Sequence, residues 1–167
     1  MVNNLLTTRG ILHHIATRRP DAHADIYGSP AFPNIRGNAW FWQTHTGVYV
    51  CVTAQNLPYQ SEENPYNVLG THIHEGSSCT GNINDPFANA GAHYNPYQQA
   101  HPYHAGDLPP LFVNEGYAWN VVMTDRFVVD EIIGMTIIIH SQADDFHTQP
   151  SGESGSRIAC GYIHRQR

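Results

Sequence analysis

Lysine is absent from this chain of 167 residues. The eight basic residues are all arginine, and Arg18-Arg19 is their only adjacent pair. Charged residues make up just 13% of the sequence, and the formal net charge is -6 with neutral histidines. A mild acidic excess without a basic cluster argues against a nucleic-acid partner, which needs arginine and lysine set against phosphates. It equally removes a polybasic membrane patch. No apolar run approaches the roughly 20 residues that span a bilayer. Met1 to Arg19 lacks the early positive charge and unbroken apolar stretch of a secretory leader. A cytoplasmic location is therefore the expectation.

Hydrophobic residues are plentiful, at 41%. The length suits one domain with a real core. We take residues 1–167 as that single domain, with 1–22 as an N-terminal extension. Pro, Gly, Asn and Ser recur every eight to twelve residues and separate short apolar or alternating runs, the pattern of an all-β sandwich or barrel. Leu5 to Thr17 predicts a short helix that Pro20 ends. Strands are expected at Ala24–Tyr27, Asn38–Gln43, Val48–Ala54, Asn67–His74, Tyr117–Thr124, Phe127–Val129, Thr136–His140 and Arg157–Ile163. Thr46-Gly47 reads as a turn and Pro58–Pro65 as a polar loop. Glu75–Pro110 and Ser141–Ser156 are long segments rich in turn residues. Loops of that size on a compact frame commonly carry function.

Histidine is abundant, with 12 copies, and it is the commonest metal-binding side chain. In Thr71-His72-Ile73-His74, residues two apart on a strand share a face, so both imidazoles can reach one ion while Ile73 enters the core. Alone, such a pair also fits an exposed polar strand face. Further on stand His93, then His101-Pro102-Tyr103-His104-Ala105-Gly106-Asp107, then His140 at a strand end with Asp144-Asp145 after it. Imidazole nitrogen suits copper and zinc, and one added carboxylate suits zinc. His93, His101, His104 and Asp107 can form a closed four-coordinate zinc set. Taken singly, each residue also has an ordinary role: a surface histidine, a turn-capping Asp107, or a solvated Asp144-Asp145 pair.

Five motifs in order resemble the copper/zinc superoxide dismutase family: Gly70-Thr-His-Ile-His-Glu75, Gly91-Ala-His-Tyr-Asn-Pro96, His104-Ala-Gly-Asp-Leu108, Ile132-Ile-Gly-Met-Thr-Ile-Ile-Ile-His140 and Gly155-Ser-Arg-Ile-Ala-Cys-Gly161. The likeness runs from about Gly70 to Ile163; the first 65 residues match only as generic strands. The resemblance implies a Greek-key β-sandwich or flattened barrel of about eight antiparallel strands. It implies copper bound by His72, His74 and His140, with His93 as a bridging imidazolate. Zinc would be completed by His101, His104 and Asp107. Asp144 would tie a copper histidine to a zinc histidine. Arg157 would sit at the copper mouth and dock superoxide, and Cys79 and Cys160 would form a disulfide. That bond sits awkwardly with a cytoplasmic address, but burial shields it in the family. Cys51 is left as a buried thiol.

The implied reaction is disproportionation of superoxide to dioxygen and hydrogen peroxide. Copper would cycle between oxidation states, and His93 would hold and release a proton. A homodimer is compatible with the resemblance, which does not fix an interface. Two departures stand out. The segment between His93 and His104 is shorter than in animal members, and Ser141–Ser156 lacks the lysines that often attract the substrate anion. Two other readings remain at this level: a copper- or zinc-binding protein for metal storage or delivery, and a zinc hydrolase with Glu75 as its base. His13, His14, His23, His45, His147 and His164 read as surface or locally bonded, and Trp40, Trp42 and Trp119 as core or edge aromatics.

Overall fold

The computed structural model describes residues 7–60, 62, 65 and 67–166. The start of the expected helix at Leu5 and part of the Pro58–Pro65 loop lie outside them. Helix α1 spans Thr8–Thr17, followed by strands β1 (Ala22–Gly28), β2 (Arg36–Thr44), β3 (Gly47–Gln55), β4 (Val68–His74), β5 (Asp107–Phe112) and β6 (Ala118–Thr124). A single helical turn, α2 (Val129–Ile132), leads to β7 (Thr136–His140), β8 (Arg157–Tyr162) and the two-residue β9 (His164–Arg165). The strands join in the order β5-β4-β7-β8-β1-β2-β3-β6, with β9 beside β1. Every pairing is antiparallel. The result is a nearly closed Greek-key barrel: β3 runs on to β4 and β5 to β6 by crossing between the two ends of the strand order.

The alternation in β3 shows how the sequence builds this frame. Val48, Val50 and Val52 point inward and join Phe41, Leu69, Ile73, Leu111 and Ile137 in the main core. Tyr49 and Cys51 point outward but are also buried, with Trp42, under α1. Ile11 and Ile15, one helical turn apart, supply the helix side of that contact. Thr7 caps the helix by accepting from the Gly10 N–H at 3.1 Å. His14, read as surface or locally bonded, is not on the surface: it is buried, with its ring edge-on to Tyr49 at 5.6 Å between centroids. The cause is its place on the inner face of α1.

Two further expectations fail locally. Strand β5 begins inside the segment read as loop, and it contains Pro109 and Pro110. Proline cannot donate to a ladder and is tolerated in an edge strand, and β5 is the last strand in the order. Phe127–Val129 is no strand. Phe127 and Val129 are buried and Val128 is exposed, which mimics strand alternation. The Val128 and Val129 N–H groups, however, donate to the side chains of Glu131 and Gln43, at 2.9 and 2.8 Å. They make no ladder, and the chain turns into α2. Among the described residues, no helix is long and apolar enough to cross a membrane.

Candidate metal centre

Strand β4 places His72 and His74, and the end of its neighbour β7 places His140. The ladder pairs His72 with Ile138. The β7–β8 register shifts between Ile139 and His140, the last residue of β7, which pairs with Arg157. Ile73, between the two histidines, fills the core. Its main chain also ties down the loop: Ile73 N–H donates to Gly106 O at 2.9 Å, and Tyr94 N–H donates to Ile73 O at 2.8 Å. The two ends of the segment 93–107 are thereby fastened to the residue between His72 and His74, and His93 lies against His74 in an isolated bridge.

These residues gather into two buried donor sets that share His93. The first is His72, His74, His93 and His140; the second is His93, His101, His104 and Asp107. Outer hydrogen bonds decide which ring nitrogen of each histidine is available. His74 Nδ1 donates to Gly91 O at 2.9 Å and His140 Nδ1 to Gly155 O at 3.3 Å. This leaves the two Nε2 atoms facing each other at 3.4 Å. Asp144 accepts from His72 Nε2 at 2.8 Å and from His101 Nε2 at 2.9 Å. It thus links one histidine of each set and frees both Nδ1 atoms. Gly152 makes room for this linkage: its φ is +69°, and a Cβ there would overlap Asp144 Oδ1.

Within this cluster, three ring nitrogens are buried without a hydrogen-bond partner among the described residues: His72 Nδ1, His93 Nε2 and His101 Nδ1. Orphaned buried polar atoms are costly and call for an explanation. His101 Nδ1 lies 3.0 Å from Asp107 Oδ2 yet does not meet hydrogen-bond geometry. Both residues belong instead to one set of mutually close donors, as two ligands of one ion do. Asp107 Oδ1 stands 2.7 Å from His93 Nδ1 and 3.2 Å from His104 Nδ1, and the two histidine nitrogens are 3.5 Å apart. Tetrahedral donors around zinc are separated by about 3.3 Å, given bonds of about 2.0–2.1 Å. The spacing and the N₃O composition fit zinc. The other set, four imidazole nitrogens, fits copper. Four protein donors close the N₃O set, so the open position that a zinc hydrolase needs is missing there.

Electrostatics keep the donors in their binding form. Burial holds the His72 and His74 imidazoles well below the ordinary histidine value, reinforced by His93 and His140. His140 is lowered to about 4, again chiefly by burial. Burial would raise the Asp107 carboxyl, but the hydrogen bond from His93 and the surrounding imidazoles outweigh it and hold it below its ordinary value. At neutral pH these groups are neutral rings and a carboxylate, the states that bind metal.

A cavity of about 410 Å³ opens onto the first set, lined by His74, His93, His104, His140, Arg157 and Glu75 among others. Arg157 starts β8, and its guanidinium donates to Phe87 O and Gly91 O, both at 2.8 Å. Gly91 O, at a residue with φ of +73°, therefore receives both His74 and Arg157 and joins the donor set to the cavity's cation. Asp85 also approaches the guanidinium, at 3.4 Å. Cys79 and Cys160 form a disulfide, packed against Phe87, Ala90 and Ile138, which fastens the loop supplying those carbonyls to β8. Nothing in the sequence marks the Gly91 and Gly155 carbonyls or Asp85, because a backbone oxygen has no residue signature and a lone aspartate on a loop has many uses.

A barrel holding two adjacent metal-donor sets that share one imidazole defines a class: a dinuclear β-barrel metalloprotein. The sequence pattern of copper/zinc superoxide dismutase (SODC) matches residues 35–163. The chain is 31% identical to Superoxide dismutase [Cu-Zn] 2 of Aquifex aeolicus, over 85% of each chain. It is 33% identical to Superoxide dismutase [Cu-Zn] of Legionella pneumophila, over 86% of each. The solved Cu/Zn superoxide dismutase from Brucella abortus superposes with a TM-score of 0.71 at 25% identity, covering 84% of this chain and 98% of that one. The chain belongs to the copper/zinc superoxide dismutase family. Its match begins at residue 35 and so takes in β2 and β3, beyond the stretch from Gly70 that the motifs mark.

Proposed function

We propose that this chain disproportionates superoxide at a copper–zinc pair, with copper held by His72, His74, His93 and His140 and zinc by His93, His101, His104 and Asp107. The observation that carries the reading is the double allegiance of His93, whose Nδ1 faces Asp107 and His104 while its buried Nε2 has no protein partner. Bound copper supplies the one-electron couple that the reaction needs, and zinc, which has no redox chemistry, keeps the shared ring in place.

The protein's own groups do the rest. Two superoxide ions and two protons give dioxygen and hydrogen peroxide. Arg157 binds the anion: its fork of donors stays charged at any working pH, and it is aimed into the cavity by Phe87 and Gly91. His93 lines the same cavity, and its Nε2 can take up a proton and return it to the reduced oxygen while Nδ1 keeps its place. The second proton comes from water through the open mouth. With a net charge of -6 and no lysine, attraction of the anion depends on a local positive focus, for which Arg157 is the side chain in position. Metal analysis of purified protein with a superoxide assay before and after chelation tests the proposal. One copper and one zinc per chain, and activity lost on chelation and regained with copper, are expected. Fully loaded protein that scavenges no superoxide overturns it.

A further inference from the structure

The three donors that belong to the zinc side alone sit on a short segment, and two exposed side chains from elsewhere in the fold grip its backbone. Gln149, in the loop between β7 and β8, makes a reciprocal pair with His101: His101 N–H donates to Gln149 Oε1 at 2.9 Å, and Gln149 Nε2 donates to His101 O at 2.7 Å. Arg126, at the corner after β6, brings one guanidinium nitrogen to three carbonyls of the same segment. These are Pro102 O at 3.0 Å, His104 O at 3.3 Å and Asp107 O at 3.3 Å. Between them the two side chains hold the main chain of all three zinc-only donors. Among the described residues, no side chain grips the main chain of His72, His74 or His140 in this way: the β4–β7 ladder positions the first two and carries the third at its end.

We propose that Arg126 and Gln149 form a clasp that pre-positions His101, His104 and Asp107, and that they are positioning residues for zinc and not for copper. The inference rests on the assignment of these three residues to zinc. Its physical basis is that donors fixed before the ion arrives lose less freedom on binding. A single cation over three carbonyls also makes stronger hydrogen bonds than a neutral donor would. Because both side chains lie on the surface, their replacement leaves the core intact.

The test uses the full chain loaded with copper and zinc, and a second preparation with cobalt(II) in place of zinc. Release of zinc and of copper into a chelator is timed for the unaltered chain and for Arg126→Gln, Gln149→Leu and Arg126→Lys. Zinc is expected to leave about 10–100-fold faster from Arg126→Gln and from Gln149→Leu, the range for losing an outer partner of a metal site. Copper release should change by less than about 3-fold on that scale. The visible cobalt bands should shift or broaden in both variants. Arg126→Lys, which retains three donors on its ammonium, should recover part of the loss. Zinc release and cobalt bands unchanged in both variants overturn the clasp. So does an equal loss of both metals, which marks general destabilisation. If the unaltered chain takes up neither zinc nor cobalt at this set, the ligand assignment falls, and the clasp with it.

Discussion

The two halves of this metal centre are built by different means. The proposed copper side is carried by strands: His72 and His74 stand on β4 and His140 ends β7, where antiparallel ladders fix where each side chain points. The proposed zinc side is carried by loop, with His101 and His104 in irregular chain and Asp107 at the very start of β5. A strand-borne donor has its direction set by the pleat, whereas a loop-borne donor has it set by whatever holds the loop. Here that task falls to Ile73, Asp144, Gln149 and Arg126. A rigid half and a braced half meet at His93.

The sharpest way to break this comparison is to remove a donor from each half. His74→Ala should abolish dismutation and copper binding while zinc is retained. His104→Ala should release zinc and leave a slower, copper-loaded protein. Metal content after dialysis, with a superoxide assay, reads both. Equal loss of both metals from both variants would deny that the halves are separable.

Asp144 is the link between them, bonding His72 and His101 at once. Asp144→Asn should weaken both metals, each by about 10–100-fold, as read by competition with chelators. An effect on one metal alone would show that the link is one-sided. At the mouth, Arg157→Ala should lower the rate by roughly 10-fold or more and flatten its dependence on ionic strength. An unchanged rate across salt concentrations would remove Arg157 from the mechanism.

Proton linkage is a smaller effect and belongs to the strand-borne half. In the metal-free protein, burial holds His72, His74 and His140 below the ordinary value of 6.5, with His140 at about 4. The unfolded chain therefore binds more protons than the folded one between those values. Stability of the metal-free protein should fall as pH drops from about 6.5 towards about 4. Urea midpoints across that range check it, and a rise on acidification would contradict it. The smallest effect should come from Asp85, which sits 3.4 Å from Arg157. Asp85→Asn removes a negative charge beside the cavity's cation and should raise the rate modestly, by about 2-fold at low salt.

The same division explains what could be read from the sequence. His72 and His74 are legible because strand period puts both on one face, and the inward valines of β3 follow the same rule. The loop-borne donors acquire meaning jointly, through their order along the chain; nothing local distinguishes His101 from a surface histidine. Strand β5 was hidden by Pro109 and Pro110, whose exclusion from sheets does not extend to an edge. Phe127 and Val129 alternate with an exposed Val128 like a strand, but the N–H groups of Val128 and Val129 are taken by side chains. His14 is buried because α1 lies on Tyr49 and Cys51, a tertiary contact that helix periodicity alone does not assign. Arg126 and Gln149 act through backbone oxygens and amides brought close only by folding, so no motif could have announced them.

One ring is proposed to serve two ions, and the copper electron spin resonance of protein carrying copper on one side and cobalt(II) on the other tests this most directly. An imidazolate shared through His93 couples the two spins, so the copper signal should collapse as cobalt fills its set and return when cobalt is removed. A copper signal of full intensity beside a filled cobalt site would mean that the two ions do not share His93.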